Sequence, residues 1–255
     1  LDKTSIVPDQ GGFYRSHDNT VSWDGGGNKD LEALEPGGTR VLHFSFSSLP
    51  PLSAEFPKGK NPDIVLEVTV SGTRLSPGRA GEKIETTLTR RVKLSSIAQL
   101  SSRLVYSIGP FKNTGPLPPQ ADQRTTYTAI WSVTNLSSDL SNVTVEATLP
   151  QYVEWAGLIS PSDERITFVG GKVVWNIGTV KAGAGVTSSA REASFQIIFK
   201  PSLAQVGTAP VLVSEATLRG TDDFTQAGVQ ITQRGLTTDL ITDPAFGDGQ
   251  DRVAQ

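Results

Sequence analysis

Ser141-Asn-Val-Thr-Val-Glu-Ala-Thr-Leu-Pro150 is the stretch whose reading decides the fold. Val143, Val145, Ala147 and Leu149 fall on one side of an extended chain, and Thr144, Glu146 and Thr148 on the other. A period of two predicts a half-buried strand, and Pro150, which cannot donate to a ladder, ends it. Working outward, residues 124–135 repeat the pattern with Tyr127, Ala129, Trp131 and Val133 facing inward. Ala193, Phe195, Ile197 and Phe199 form a third stripe before Pro201, and Leu212, Ser214, Ala216 and Leu218 a fourth before Gly220. Gly170-Gly171 separates 165–169 from 172–177 and predicts a tight hairpin turn. The best helical candidate, Asn28 to Leu34, is bracketed by glycines and Pro36. The chain therefore reads as all-β.

Composition agrees. Gly (25) and Pro (16) together make up about one residue in six of the 255, a proportion suited to short strands joined by turns. The length allows one or two domains. A net charge of -3 supplies no basic field for a phosphate backbone, so a nucleic-acid partner is not expected. Cysteine is absent, which excludes disulfides, thiolate metal sites and a cysteine nucleophile. Methionine is absent too, and the chain starts at Leu1, so it is expected to be a processed product, a fragment or an engineered chain. Loss of both oxidisable sulfur residues fits an extracellular setting. No apolar run approaches the ~20 residues of a membrane span, and no secretory signal is visible in this stretch.

The chain also repeats itself. Val21-Ser-Trp23-Asp24 corresponds to Val173-Val-Trp175-Asn176, and Arg40 to Phe46 corresponds to Arg191 to Ile197. Ile64 to Thr73 corresponds to Val211 to Thr221, with Gly72-Thr73 and Gly220-Thr221 in register. An offset that stays near ~150 residues through three ordered landmarks signals two copies of one plan. The expected organisation is two tandem β-sandwich domains, 1–94 and 95–240, followed by a polar tail, 241–255, that frays. Residues 95–124 form the junction, with the proline-rich 109–119 as a semi-rigid extended path. The second copy has two strands before its tryptophan hairpin, whereas only about twenty residues precede Trp23. The first domain therefore reads as lacking N-terminal strands. Three routes would close it: upstream strands, a strand donated by a neighbouring subunit, or a smaller sandwich.

The second copy resembles the "conserved repeat domain" (domain of unknown function eleven) of bacterial cell-surface proteins. The carrying residues are Thr125 to Asn135, Asn142 to Pro150, Val173-Val-Trp-Asn-Ile-Gly178 and Ala216 to Asp222. The resemblance spans roughly 100–240, and the first copy carries only its latter half. It implies immunoglobulin-like modules, an extracellular or cell-surface location, a structural role in a surface layer, stalk or filament, and no catalytic residues. The matching positions are core and turn positions, so they specify fold rather than binding.

No catalytic, cofactor-binding or metal-binding residue set is assigned. Asp24, Asn28, Asp30 and Glu35 place oxygen donors at calcium-loop spacing, but Lys29 and Gly26 occupy positions that break the pattern, and a turn with an insertion explains them better. Asp222-Asp223 fits an Asx-turn. His17 and His43 are the only two histidines, 26 residues apart, and no G-x-S-x-G nucleophile elbow accompanies them, so neither is read as catalytic. Trp23, Trp131 and Trp175 are expected in the core, leaving Trp155 as the one aromatic to test for glycan contact. Asn135-Leu-Ser and Asn142-Val-Thr match glycosylation sequons. Lys172 and Lys200 are the strand lysines that an isopeptide cross-link would need. The expected function is a non-enzymatic structural surface module that self-assembles or binds other surface proteins. The alternative is an adhesin or carbohydrate-binding module.

Overall fold

The structure, a computed structural model, describes residues 1–49, 59–75 and 79–255. Its strands are β1 (Asp2–Pro8), β2 (Phe13–Arg15), β3 (Thr20–Ser22), β4 (Phe44–Ser47), β5 (Asp63–Arg74), β6 (Glu82–Lys93), β7 (Ala98–Val105), β8 (Thr125–Asn135) and β9 (Leu140–Thr148). They continue with β10 (Val153–Ser160), β11 (Ile166–Val169), β12 (Lys172–Val180), β13 (Arg191–Phe199), β14 (Val211–Val213), β15 (Ala216–Asp222), β16 (Gly228–Gln233) and β17 (Leu236–Thr237). Helical structure among the described residues is limited to two 3-10 turns, Lys29–Leu31 and Leu203–Gln205, so the protein is all-β. It divides into two compact units, Leu1–Lys58 and Gly59–Gln255. The boundary read from the sequence lies at 94, so the β5–β6 hairpin falls on different sides of the two divisions.

The second unit contains a two-layer sandwich. One sheet has the order β10-β13-β8-β7 and the other β11-β12-β9-β15-β16, with antiparallel pairing throughout. The sequence stripes become its two inner faces. Tyr127, Ala129, Trp131, Val133, Phe195, Ile197 and Phe199 meet Val143, Val145, Trp175 and Leu218, all fully buried. Each buried Val, Ile, Leu or Phe among them contributes about 1.5–3 kcal/mol of burial free energy. Trp131 meets Phe195 edge to face at 4.9 Å, fixing how the stripes interlock. Among the described residues the Tyr127 hydroxyl and Trp131 indole nitrogen have no hydrogen-bond partner, a polar cost that the surrounding packing outweighs.

The hairpin expected at Gly170-Gly171 forms as β11–β12, with Val169 opposite Lys172. Both glycines have positive φ, 61° and 80°, as a two-residue turn of this hand requires. The stripe through Leu212 and Leu218 is not one strand. It breaks at Ser214, whose hydroxyl accepts from the Thr148 N–H at 2.8 Å, and resumes as β15.

Two expectations change. The 109–119 segment does not run as an extended path between domains. β7 and β8 are ladder neighbours, and the segment folds back over their ends. Asn113 donates to the Val105 and Tyr106 carbonyls, and Thr114 exchanges bonds with Thr126, because polar side chains here find the carbonyls that the end of the ladder leaves free. The C-terminal tail packs against the second unit instead of running free: Val253 is 2% exposed and bridges Val206, and Ala254 bridges Gln120. Its polar composition hides these few anchors.

The first unit is slighter. It holds two two-stranded sheets, β1–β4 and β2–β3, and none of its described residues is buried. Trp23 follows β3, donates its indole N–H to the Asp9 carbonyl at 2.7 Å, and meets Phe44 edge to face at 6.1 Å. Phe44 in turn meets Phe46 at 5.8 Å. Gly12 permits this approach, since a Cβ there would lie 2.5 Å from the Trp23 nitrogen.

Candidate functional site

The feature that burial alone does not explain is the β5–β6 ribbon. Its twelve cross-strand pairs run from Asp63–Lys93 at the base to Arg74–Glu82 at the tip. Neither strand pairs with any other among the described residues, and every residue of β6 is exposed. Directly opposed residues share a face, so Ile64, Leu66, Val68 and Val70 line up with Val92, Leu88 and Ile84. The other face is polar and carries the Thr69–Thr87 hydroxyl pair at 3.0 Å.

The base of the ribbon is fixed to the sandwich. The Asn61 N–H donates to the Ser137 carbonyl, Lys60 pairs with Asp139 at 2.9 Å, and Lys93 donates to the Phe224 carbonyl and sits over its ring. Just beyond, the Ser96 N–H and Ser138 hydroxyl donate to one oxygen of the fully buried Asp222, and the Phe224 and Thr225 N–H groups to the other. Asn135 donates to the Ser138, Val180 and Lys181 carbonyls and accepts from Ser96. A network with its donors and acceptors matched makes a rigid mount.

Three carboxylates of this body are held below the ordinary aspartate value of 3.8. At Asp222 burial pushes upward, but hydrogen bonds from Ser138, Ser96, Thr225 and Phe224 outweigh it. At Asp243 burial is likewise outweighed, by the Ser107 hydroxyl and the Ser107, Tyr106 and Ala245 N–H groups. At Asp139 burial is overcome by the Ala182 N–H, Lys181 and Lys60. Lowered folded values mean that the ionised forms favour the folded state. Their stabilisation is complete above 3.8 and is lost as pH falls through the lower folded values. Thermal unfolding followed against pH is therefore expected to hold its midpoint above about pH 5 and to drop steeply below about pH 4. A midpoint that stays flat down to about pH 2 contradicts this assignment.

The remaining sequence candidates resolve individually. In the 24–35 loop, Asp24 accepts from the Gly27 N–H and Asn28 from the Asp30 N–H, so these oxygens hold the turn. Asp222 forms the Asx-turn with Phe224 and Thr225, and it also reaches Ser96 and Ser138, which no local sequence signal reveals. His17 lies on the surface beside Asp18, and His43 is exposed just before β4. Trp155 is half-buried, stacked on Phe168 at 5.7 Å and tilted against Phe195 at 5.4 Å, so its ring packs at the border of the core. Asn135 is buried, whereas Asn142 is exposed with φ 52°. Lys172 pairs with Glu146 on the surface, and Lys200 is exposed. No helix among the described residues is long and apolar enough to cross a membrane.

No family model matches the chain, and no curated protein matches it. Several solved structures are distantly similar. The major pilin subunit BcpA of Bacillus cereus aligns at 12% identity and TM-score 0.37, over 65% of this chain and 51% of that one. The major pilin SpaD of Corynebacterium diphtheriae aligns at 14% identity and TM-score 0.35, over 55% and 35% of the two chains. A GH20 exo-β-N-acetylglucosaminidase of Vibrio harveyi aligns at 12% and 0.29, over 54% and 17%. This chain thus spans about half or less of the solved chains it is similar to.

Proposed function

We propose that this protein is a non-catalytic structural module of an extracellular or cell-surface assembly, such as a surface layer, stalk or filament, which associates with copies of itself. The observation that carries the reading is the β5–β6 ribbon: two unpaired edges and an exposed aliphatic face on a rigid mount. A two-stranded ribbon is marginal alone in water, and unpaired edges with an apolar face are templates for association. The sandwich itself spends its polar groups on structure, with Glu164 taken up by the Trp175 indole and Arg191, and Asp222 by four donors. The immunoglobulin-like plan and the likeness to the surface repeat family agree with such a role.

Sedimentation velocity across a concentration series tests it. Reversible association is expected for the whole chain and monomers for a variant in which a short turn replaces residues 64–92, with near-ultraviolet circular dichroism showing that the sandwich persists. A whole chain that stays monomeric at the highest concentration overturns the reading.

A further inference from the structure

We infer that the β5–β6 ribbon is an extensible element set in series with the sandwich. Tension along the chain opens it strand from strand, and it closes again when the tension falls. The inference rests on the stalk or filament reading above, since a chain in such an assembly carries load. It requires no cover over the ribbon's apolar face.

Connectivity sets the order in which parts yield. A pull passed along the backbone from residue 59 to β7 runs through the ribbon. The ribbon's two strands enter and leave at its base, where Asp63 lies opposite Lys93 and the Leu94 N–H donates to the Pro62 carbonyl at 3.0 Å. Drawing those two ends apart loads one cross-strand pair at a time, as in a zipper. β7 meets the same pull differently. It begins beside the base, with Ala98 opposite Asn135, and runs lengthwise against β8 to Val105 opposite Thr128. Ala254 is bonded to Pro119 and Ala121, just ahead of the far end of β8, so a pull between this point and the base runs along the strands. It loads the β7–β8 pairs together, and Leu104 and Val105 would have to leave the core as well. Opening pair by pair takes less force than breaking all pairs at once, and a two-stranded hairpin is marginal by itself in water. The ribbon therefore yields before the sandwich.

The mount is uneven in the sense this requires. Upstream, one main-chain bond from Asn61 to Ser137 and the Lys60–Asp139 pair hold the chain, and the Lys60 side chain is 55% exposed, where an ion pair contributes little. Downstream, Lys93 reaches the Phe224 carbonyl and ring, and the Ser96 N–H reaches the buried Asp222 at 2.6 Å. β5 thus comes away while β6 keeps its hold. Ile64 faces Val92 and Val68 faces Leu88, so closing again takes aliphatic surface out of water, and a hairpin forms in about 1–10 μs. Opening 63–93 frees about thirty residues, or ~100 Å of chain at ~3.3–3.6 Å each.

Stretching the whole chain in optical tweezers, held by tags at its two ends, tests this. A reversible step of ~100 Å is expected at lower force than the opening of the sandwich. The chain has no cysteine, so Ile64→Cys with Val92→Cys gives one defined disulfide across the base. Opposed residues of an antiparallel pair have Cα atoms ~4.5–5.5 Å apart, within disulfide range. With the disulfide closed, read by loss of free thiol, the step is expected to vanish, and reductant is expected to restore it in the same preparation. No ~100 Å step before the sandwich opens, or one that persists with the disulfide closed, overturns the inference. A chain that shows the disulfide-sensitive step yet stays monomeric in sedimentation upholds the extensible ribbon and overturns the self-assembling reading alone.

Discussion

Asp222→Ala is expected to destabilise the sandwich by about 3–5 kcal/mol, read as a lower midpoint in urea unfolding. The carboxylate is fully buried and receives four hydrogen bonds: from the Ser96 N–H at 2.6 Å, the Ser138 hydroxyl at 2.6 Å, the Phe224 N–H at 2.8 Å and the Thr225 N–H at 3.0 Å. Alanine leaves these donors facing a void, and unpaired buried donors cost about 1–3 kcal/mol each before relaxation. Asp222→Asn keeps an acceptor for the turn amides but aims an amide at the Ser96 N–H, so a smaller loss of about 1–3 kcal/mol is expected. The neighbouring Asp223 is the control. It is exposed and accepts from the Ser141 hydroxyl, so Asp223→Ala is expected to stay within about 0.5 kcal/mol of the parent. Equal effects at 222 and 223 would remove the case for a buried latch. Because Ser96 follows directly on the ribbon, the latch also decides how firmly β5–β6 is mounted.

The latch and the ribbon mark where sequence reading stopped. Alternation at 127–133, 143–149 and 193–199 announced inner faces because a side-chain period of two is a local property of an extended chain. The Gly170-Gly171 hairpin was legible for the same reason, since only a positive-φ pair closes that turn. Asp222 was legible only as a turn residue. Its other partners, Ser96 and Ser138, lie 126 and 84 positions away, and a chain read by itself carries no record of which serine comes near. The ribbon misled in the opposite way. Ile64 to Thr73 has the alternation of a sandwich strand and aligns with one, but alternation records that a face is apolar and not what lies over it. Nor did composition reveal the tail, where Asp243 accepts from the Tyr106 and Ser107 N–H groups and Val253 fills a core position.

Two tryptophans that align in the repeat separate pattern from energy. Trp175 is fully buried on β12, facing the same core as Trp131 and Phe195, and its indole N–H reaches Glu164 at 2.8 Å. Trp175→Ala removes the ring and opens a cavity between two sheets whose ladders resist collapse, so a loss of about 3–5 kcal/mol is expected. Glu164 keeps Arg191 as a partner, which places the loss in packing more than in the polar contact. Trp175→Phe retains most of the volume and is expected to recover more than half of the loss. Trp23 holds the corresponding position in the first copy, yet it is half-buried, touching Phe44 by an edge and the Asp9 carbonyl by its nitrogen. For Trp23→Ala the expected cost is about 1–2 kcal/mol, because little surface returns to water and the side chain leaves no enclosed void. Chemical unfolding of the two alanine variants, followed by the remaining tryptophan fluorescence, measures the difference. If Trp23→Ala costs as much as Trp175→Ala, the first copy has a closed core around its tryptophan, and the open arrangement of β1 to β4 does not describe the protein in solution.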